Sequence, residues 1–367
     1  MRTVGVEEEL LLVDETTGEP IAVADAALAR DRPDTSVEGD QPGGTVDTEL
    51  QQQQLETDTT PVERLTELAA QLRAARARAD GLARTTGARI AALATSPLPV
   101  AAHVTDKPRY GRMVEHLGLT GQEELTGGCH VHVSVESPEE GVAVLDRIRV
   151  WLPTLLALSA NSPYWQGRDS GYASFRSQVW NRLPTAGPTD VFGSAAAYQA
   201  LVDALINSGV ALDTGMVYFD ARLSAHYPTV EIRVADVCLD VNDTVLIAAL
   251  ARGLVETAAR EWRAGVAPVA ESTMVLRLAS WRAGRSGLAG ELLDPASGRP
   301  RPAGEVVAAL LAHVSPVLET AGDLPTVTQS LERLLDRGPG AVLQREMFAR
   351  SGDLHQLVLD AAAYSLR

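Results

Sequence analysis

Lysine is almost missing from this chain: of 32 basic side chains only Lys107 is not arginine. A lysine-based phosphate loop of the G-x-x-x-x-G-K-[ST] kind is thereby excluded, so any anion must be met by arginine. Cysteine is scarce too. Cys129 and Cys238 sit in separate apolar strand-like runs, which excludes a clustered zinc site and favours buried free thiols over a disulfide, in a reducing compartment. No apolar run approaches the ~18 residues of a membrane helix. Glu7, Glu8 and Glu9 stand where a secretory signal needs its apolar region, so the expected location is cytoplasmic. Positive charge is outnumbered, with 48 acidic against 32 basic residues and a formal charge of -16. Such a surface argues against nonspecific binding to nucleic acid or anionic lipid, while leaving room for a locally basic pocket.

What is present is organised around Gly128–Glu136 (GCHVHVSVE). Cys129, Val131, Val133 and Val135 alternate with His130, His132, Ser134 and Glu136, the pattern of a strand with one buried and one open face. Two other stretches share the design. Glu7 and Glu9 fall on one face of Val4–Val13, and Glu231 and Arg233 on one face of Thr229–Ala235. Side by side, these strands would gather carboxylates, imidazoles and a guanidinium on one sheet face. In Thr45–Thr57, Gln54 and Glu56 flank Leu55 in strand spacing. Glu49 has the opposite parity and joins them only through a bulge or break.

Residues Asp25 to Gly44 suggest an irregular excursion. Thr60-Pro61-Val62-Glu63 reads as a helix start, with an apolar period to about Thr86 and Arg73, Arg76 and Arg78 on a solvated face. A short strand is expected at Arg89–Ala94, a helix within Pro108–Leu119, and a helix after Ser137 that Pro153 interrupts. Leu158–Gly187 has little period but holds Trp165, Trp180, Arg168, Arg176 and Arg182, the composition of a functional irregular segment or, alternatively, of a surface loop with incidental arginines. A helix follows from Ser194 to Ser208, then two adjacent antiparallel strands within Met216–Leu223 and Thr229–Cys238. From about Asn242 the pattern is almost wholly helical. The fold class expected is α+β, one unit with a mixed core over residues 1–240 and a helical portion over 241–367.

An H-x-H pair alone is a weak metal signal, and Glu7 with Glu9 alone could be a solvated strand face. Glu231 with Arg233 could equally be a salt-bridge pair. Taken together, an oxygen-rich set with one or two imidazoles suits Mg²⁺ or Mn²⁺ better than zinc.

GVEEELLLVD, the Q-x-E of Gln54–Glu56, GCHVHV, LALSANSPYWQGRDSGYASFRSQVWNRLPTAGP, RLSAHYPTVEIRVADVC and WRAGRSGLAGEL together resemble the bacterial carboxylate–amine ligases of the glutamate–cysteine ligase type 2 group. The resemblance runs from Gly5 into the C-terminal helices. It implies a glutamine-synthetase-like fold, a curved antiparallel sheet whose concave face binds Mg²⁺–ATP. It also implies a reaction: ATP phosphorylates a carboxylate and an amine displaces phosphate, with L-glutamate and L-cysteine as default substrates. By the same resemblance Glu7, Glu9, Glu49, Glu56, His132 and Glu231 are metal ligands. Arg233 steadies the transferred phosphoryl group beside Glu231, and Arg176 and Arg182 contact substrate or phosphate. Two positions depart from the family pattern: Ser96 stands where a histidine is expected, and Leu343 where an arginine is.

The partners expected are small molecules, with no nucleic acid and no membrane; a homodimer is compatible with the reading. Two rivals use the same residues. A metal-dependent amide or phosphoester hydrolase would activate water, and a non-enzymatic paralogue would bind Mg²⁺–ATP without turnover.

Overall fold

The computed structural model describes residues 1–29 and 44–367. The excursion expected between Asp25 and Gly44 lies mostly outside the described residues. Strand β1 (Val4–Asp14) is the spine of the main sheet. It is followed by β2 (Val46–Thr48), β3 (Gln54–Asp58), β4 (Ala88–Ala91) and β5 (Gly128–Ser134). A two-residue pair, β6 (Tyr164–Trp165) and β7 (Arg168–Asp169), stands apart, and β8 (Ala221–Leu223) and β9 (Thr229–Asp236) complete the sheet. The order is β2-β3-β1-β5-β9-β8, with β4 on the C-terminal end of β1 and all pairs antiparallel.

Alternation gives this sheet an apolar face. Val4, Val6, Val131, Val133, Val230 and Ile232 cluster with Leu68 and Leu72 of helix Leu65–Arg84 and with Leu246, Ile247 and Leu250 of helix Val241–Arg263. Glu8 shares that face and is fully buried, its charge answered by the equally buried Arg76 at 2.6 Å. Arg76 is therefore not on a solvated face, as periodicity suggested; of the three arginines only Arg73 is exposed. The helix also begins later than its capping signature implies. Val62 is held in extended backbone by reciprocal bonds with Val4 (2.8 and 3.0 Å), and Thr60 is bound by Gln71, so helical geometry starts at Leu65.

Other expectations hold. Pro153 falls in the first turn of a new helix, Leu152–Ser159, after the preceding one ends at Ile148. Ser194 caps Ala195–Asn207 by accepting from the Ala197 amide, and Gly209 takes the left-handed turn beyond it (φ +74°). The C-terminal helices are Thr273–Ser286, Ala303–Ala321, Leu324–Arg337, Gly340–Ser351 and Leu354–Tyr364, with one hairpin (Glu291–Leu293 against Pro300–Pro302) that the helical period concealed. The 19-residue Ala303–Ala321 helix is, by length and composition alone, long and apolar enough to cross a membrane. Its apolar stripe is instead spent on the core, where Val314 lies against Gly253 of the long Val241–Arg263 helix. Both cysteines are free and buried.

Candidate active site

Cross-strand register brings the charged residues of the open face together. Glu9 stands opposite Glu56, Glu7 opposite His130, and His132 opposite Glu231. Like charges directly opposed on a sheet are destabilising, so the Glu9–Glu56 pair calls for a cation between them. Glu49 reaches the same place through the break that joins β2 to β3. Candidate ligand atoms of Glu9, Glu49 and Glu56 lie within 4.8 Å of one another, as do those of Glu7, Glu56 and His130 and those of Glu7, His132 and Glu231.

The imidazoles sit between carboxylates. His130 Nδ1 is 3.2 Å from Glu7 Oε2, its Nε2 is 3.7 Å from Glu9 Oε1, and His132 Nε2 is 3.1 Å from Glu7 Oε1. His132 Nδ1 meets the Thr229 hydroxyl at 3.0 Å. The buried Nε2 of His130 has no hydrogen-bond partner among the described residues. Burial and Arg233 push the His130 imidazole down, whereas Glu7 holds His132 up against burial. Burial would raise Glu7 as well, but the two histidines hold it well below the usual carboxylate range. The neighbouring acids go the other way. Burial and Glu9 push Glu49 up to about 7, and burial with Glu49, Glu7 and Glu9 pushes Glu56 well above its ordinary value. Four carboxylates crowded in one place, two of them (Glu49 and Glu56) pushed towards their protonated form by burial and by one another, with an orphaned imidazole nitrogen beside them, fit hard divalent ions.

Positive charge enters from β9. Arg233 ion-pairs with Glu231 through Nη1, while Arg222 of β8 approaches the same carboxylate at 2.7 and 3.1 Å. Two guanidiniums thus hold Glu231 far below its ordinary range despite burial. A register shift in the β5–β9 ladder has a further effect. His132 faces Glu231 and Gly128 faces Asp236, so Asp236 points to the same side as Glu231 although their spacing is odd. Asp236, fully buried, accepts from the Asn161 amide (2.8 Å) and the hydroxyls of Ser162 (2.7 Å) and Ser174 (2.8 Å). It thereby ties the irregular 158–187 segment to the sheet.

That segment reaches the site unevenly. Trp180 and Leu183 line a cavity of about 370 Å³ together with Glu7, Glu9, Glu49, Glu56, His130 and Arg233. The guanidiniums of Arg176 and Arg233 lie 5.3 and 5.4 Å from the Trp180 ring. Arg176 itself is buried behind the wall, 3.9 Å from Asp236, and does not line the cavity. Its approach explains Gly128, where a Cβ would fall 2.5 Å from Arg176 Nη2. Arg182 is not brought in: it pairs with Glu123 at 2.6 Å near the surface. Trp165 packs on Phe175, outside the lining residues. The two departures from the family pattern also lie outside the lining. The Ser96 hydroxyl donates to the Leu98 carbonyl, and Leu343 joins an apolar cluster with Met347 and Leu357.

Sequence reasoning missed Arg222, Glu124 and Asp236. Arg222 was accessible, since pairing across the Ser224–Pro228 turn places it opposite Glu231. Asp236 was not, because the register shift reverses the parity that alternation assumes. A larger cavity of about 570 Å³ opens elsewhere, around Arg2, Arg252, Arg260 and Arg263. Each of those arginines is already matched by a carboxylate.

With this geometry in view, the comparisons are specific. Residues 3–360 match the family described as Glutamate-cysteine ligase family 2. A Streptomyces coelicolor protein named "Putative glutamate--cysteine ligase 2" is 55% identical over 358 residues, covering 98% of this chain and 97% of that protein. Among solved structures, a bifunctional glutathione synthetase from Pasteurella multocida superposes with a TM-score of 0.70 at 17% identity. This chain is covered over 99% of its length there and spans 52%, about half, of that chain. A glutamate–cysteine ligase from Francisella tularensis in complex with AMP gives 0.68 at 14% identity, covering 100% of this chain and 88% of that one. The fold is α+β, and the chain belongs to glutamate–cysteine ligase family 2 and is a ligase.

Proposed function

We propose that this ligase joins a carboxylate to an amine at the expense of ATP through an acylphosphate, with L-glutamate and L-cysteine as the first pair to try. The observation that carries the reading is the cavity on which the opposed carboxylates, His130 and Arg233 converge, with His132 beside Glu7 just outside the lining, in a chain of this family. The AMP-bound Francisella tularensis ligase of the same fold supports the nucleotide. Glu7, Glu9, Glu49, Glu56, His130 and His132 are suited to hold Mg²⁺ or Mn²⁺, with Glu231 joining once Arg222 and Arg233 loosen their hold. When bound, such ions supply the positive charge that a nucleotide triphosphate and its departing phosphoryl group require. Arg233 faces the cavity from beneath Trp180 and steadies charge on the phosphoryl group in transfer. Arg176 acts from behind the wall, as a fixed charge that also places Trp180. Trp180 and Leu183 keep water from the activated carboxyl. The whole chain acts as one unit, residues 1–240 carrying the site and 241–367 bracing it.

The test is ADP release that needs both a carboxylic acid and an amine, run with ¹⁸O-labelled carboxylate. One labelled oxygen should appear in phosphate per amide formed. Label retained wholly in the product, or phosphate released at full rate without the acid, would instead favour hydrolysis, for which the comparisons offer no support.

A further inference from the structure

Glu124 is the one acid of the cavity wall that the reaction sketched above leaves without a task. It is 93% buried, since its relative exposure is 7%, and it lines the cavity beside Met113, Trp180, Leu183 and Tyr218. One carboxylate oxygen accepts from the Thr126 hydroxyl at 2.6 Å; the other, Oε2, is buried with no hydrogen-bond partner among the described residues. No guanidinium is hydrogen-bonded to it among the described residues: Arg182 pairs with Glu123, Arg233 with Glu231 through Nη1, and Arg176 lies towards Asp236. A buried carboxylate oxygen left bare costs free energy unless a partner arrives from outside. The apolar surroundings make a cationic partner the favourable one.

We propose that Glu124 is the acceptor-side base: it receives the ammonium of the incoming amine and takes its proton. The inference rests on the acylphosphate reading, because only an activated carboxyl makes a neutral amine useful. The ammonium gives one proton to Glu124 Oε2, and the freed lone pair attacks the acyl carbon. A C–N bond forms and the bond from carbon to the bridging phosphate oxygen breaks, the electron pair leaving with phosphate. The second nitrogen proton goes to the departing phosphate, and Glu124 releases its own proton to water. Burial pushes Glu124 up to about 7, with Thr126, Arg176 and Arg182 pulling down and Glu9 pushing up, so the group exchanges a proton readily near neutral pH.

Hydroxylamine tests this, because it is uncharged at neutral pH and attacks an acylphosphate without a base. Wild type and Glu124→Gln are compared with L-glutamate, ATP and either L-cysteine or hydroxylamine, with thermal melts confirming the fold. The expected result is a loss of about 10²-fold or more in kcat/KM for cysteine, with hydroxamate formation within a few-fold of wild type. Equal loss with both acceptors, unchanged rates with both, or a raised KM for glutamate would overturn the assignment. If Glu124→Gln does not fold, Glu124→Asp keeps the charge but draws it back from the cavity, and the same amine-selective loss is required. A wild type that forms ADP but never a hydroxamate removes the acylphosphate reading itself, and this inference with it.

Discussion

Arg233 is buried, its Nη1 engaged by Glu231, its Nε without a partner among the described residues and its guanidinium beneath Trp180. A guanidinium half-engaged in the resting site is placed to gain contacts as charge develops on a transferred group. Arg233→Lys keeps the charge and loses the fork. It should lower kcat by about 10²-fold while the KM for ATP changes little; a change confined to that KM would make the contact a ground-state one. Among the carboxylates the sign follows from direction. Glu49 is pushed up to about 7 and Glu56 well above its ordinary value, so below about 7 Glu49 holds a proton that a metal ion must displace, and Glu56 gives up its own less readily than an ordinary carboxyl. Mg²⁺ or Mn²⁺ affinity should therefore fall as pH drops through that value, with proton release at neutral pH in calorimetry run in buffers of different ionisation heat. EDTA should abolish activity. Affinity independent of pH between 6 and 8 would show that Glu49 is not a ligand.

Glu8 and Glu9 are neighbours with opposite fates, because alternation sends one to the cavity and the other into the helix layer. Arg76, on the helix Leu65–Arg84, meets both oxygens of Glu8 and also donates to the carbonyls of Cys238, Leu239 and Ser365. It thus fastens β1, the segment that follows β9 and the C-terminal end of the last helix at one point. Removing one member of a buried pair strands the other charge. Arg76→Met should lower unfolding free energy by roughly 3–5 kcal/mol in urea titration. The double change Glu8→Leu with Arg76→Met should cost clearly less than the sum of the single changes. Additive losses would mean that packing, not charge, is what Arg76 contributes.

Over the whole molecule the helical portion is bound into the core rather than appended to it. Gln344 donates to the Asn161 carbonyl and side chain at 2.8 and 2.7 Å, and Asn161 in turn donates to the Ala92 and Val237 carbonyls. The Val241–Arg263 helix forms the underside of the sheet itself. Residues 1–240 expressed alone would expose that face, so no cooperative thermal transition is expected from them, and none of the full chain's ADP release. A cooperative melt of the isolated fragment would instead show two separable units.

Alternation and resemblance sufficed, before any coordinates, to place Glu7, Glu9, His130, His132, Glu231 and Arg233 on one face and to identify the family. Period-2 strands and a family pattern are local properties of the chain, and the sequence carries both in full. Tertiary structure alone decided what depended on pairing. The break between β2 and β3 brought Glu49 beside Glu56, and the register shift against β9 turned Asp236 towards Ser162 and Ser174. Arg182 was drawn out to Glu123, and Arg76 inward to Glu8. Charge says that a residue needs a partner. Which partner it finds is set by packing between segments as much as 289 residues apart, as Arg76 and Ser365 are, and no local pattern encodes that distance.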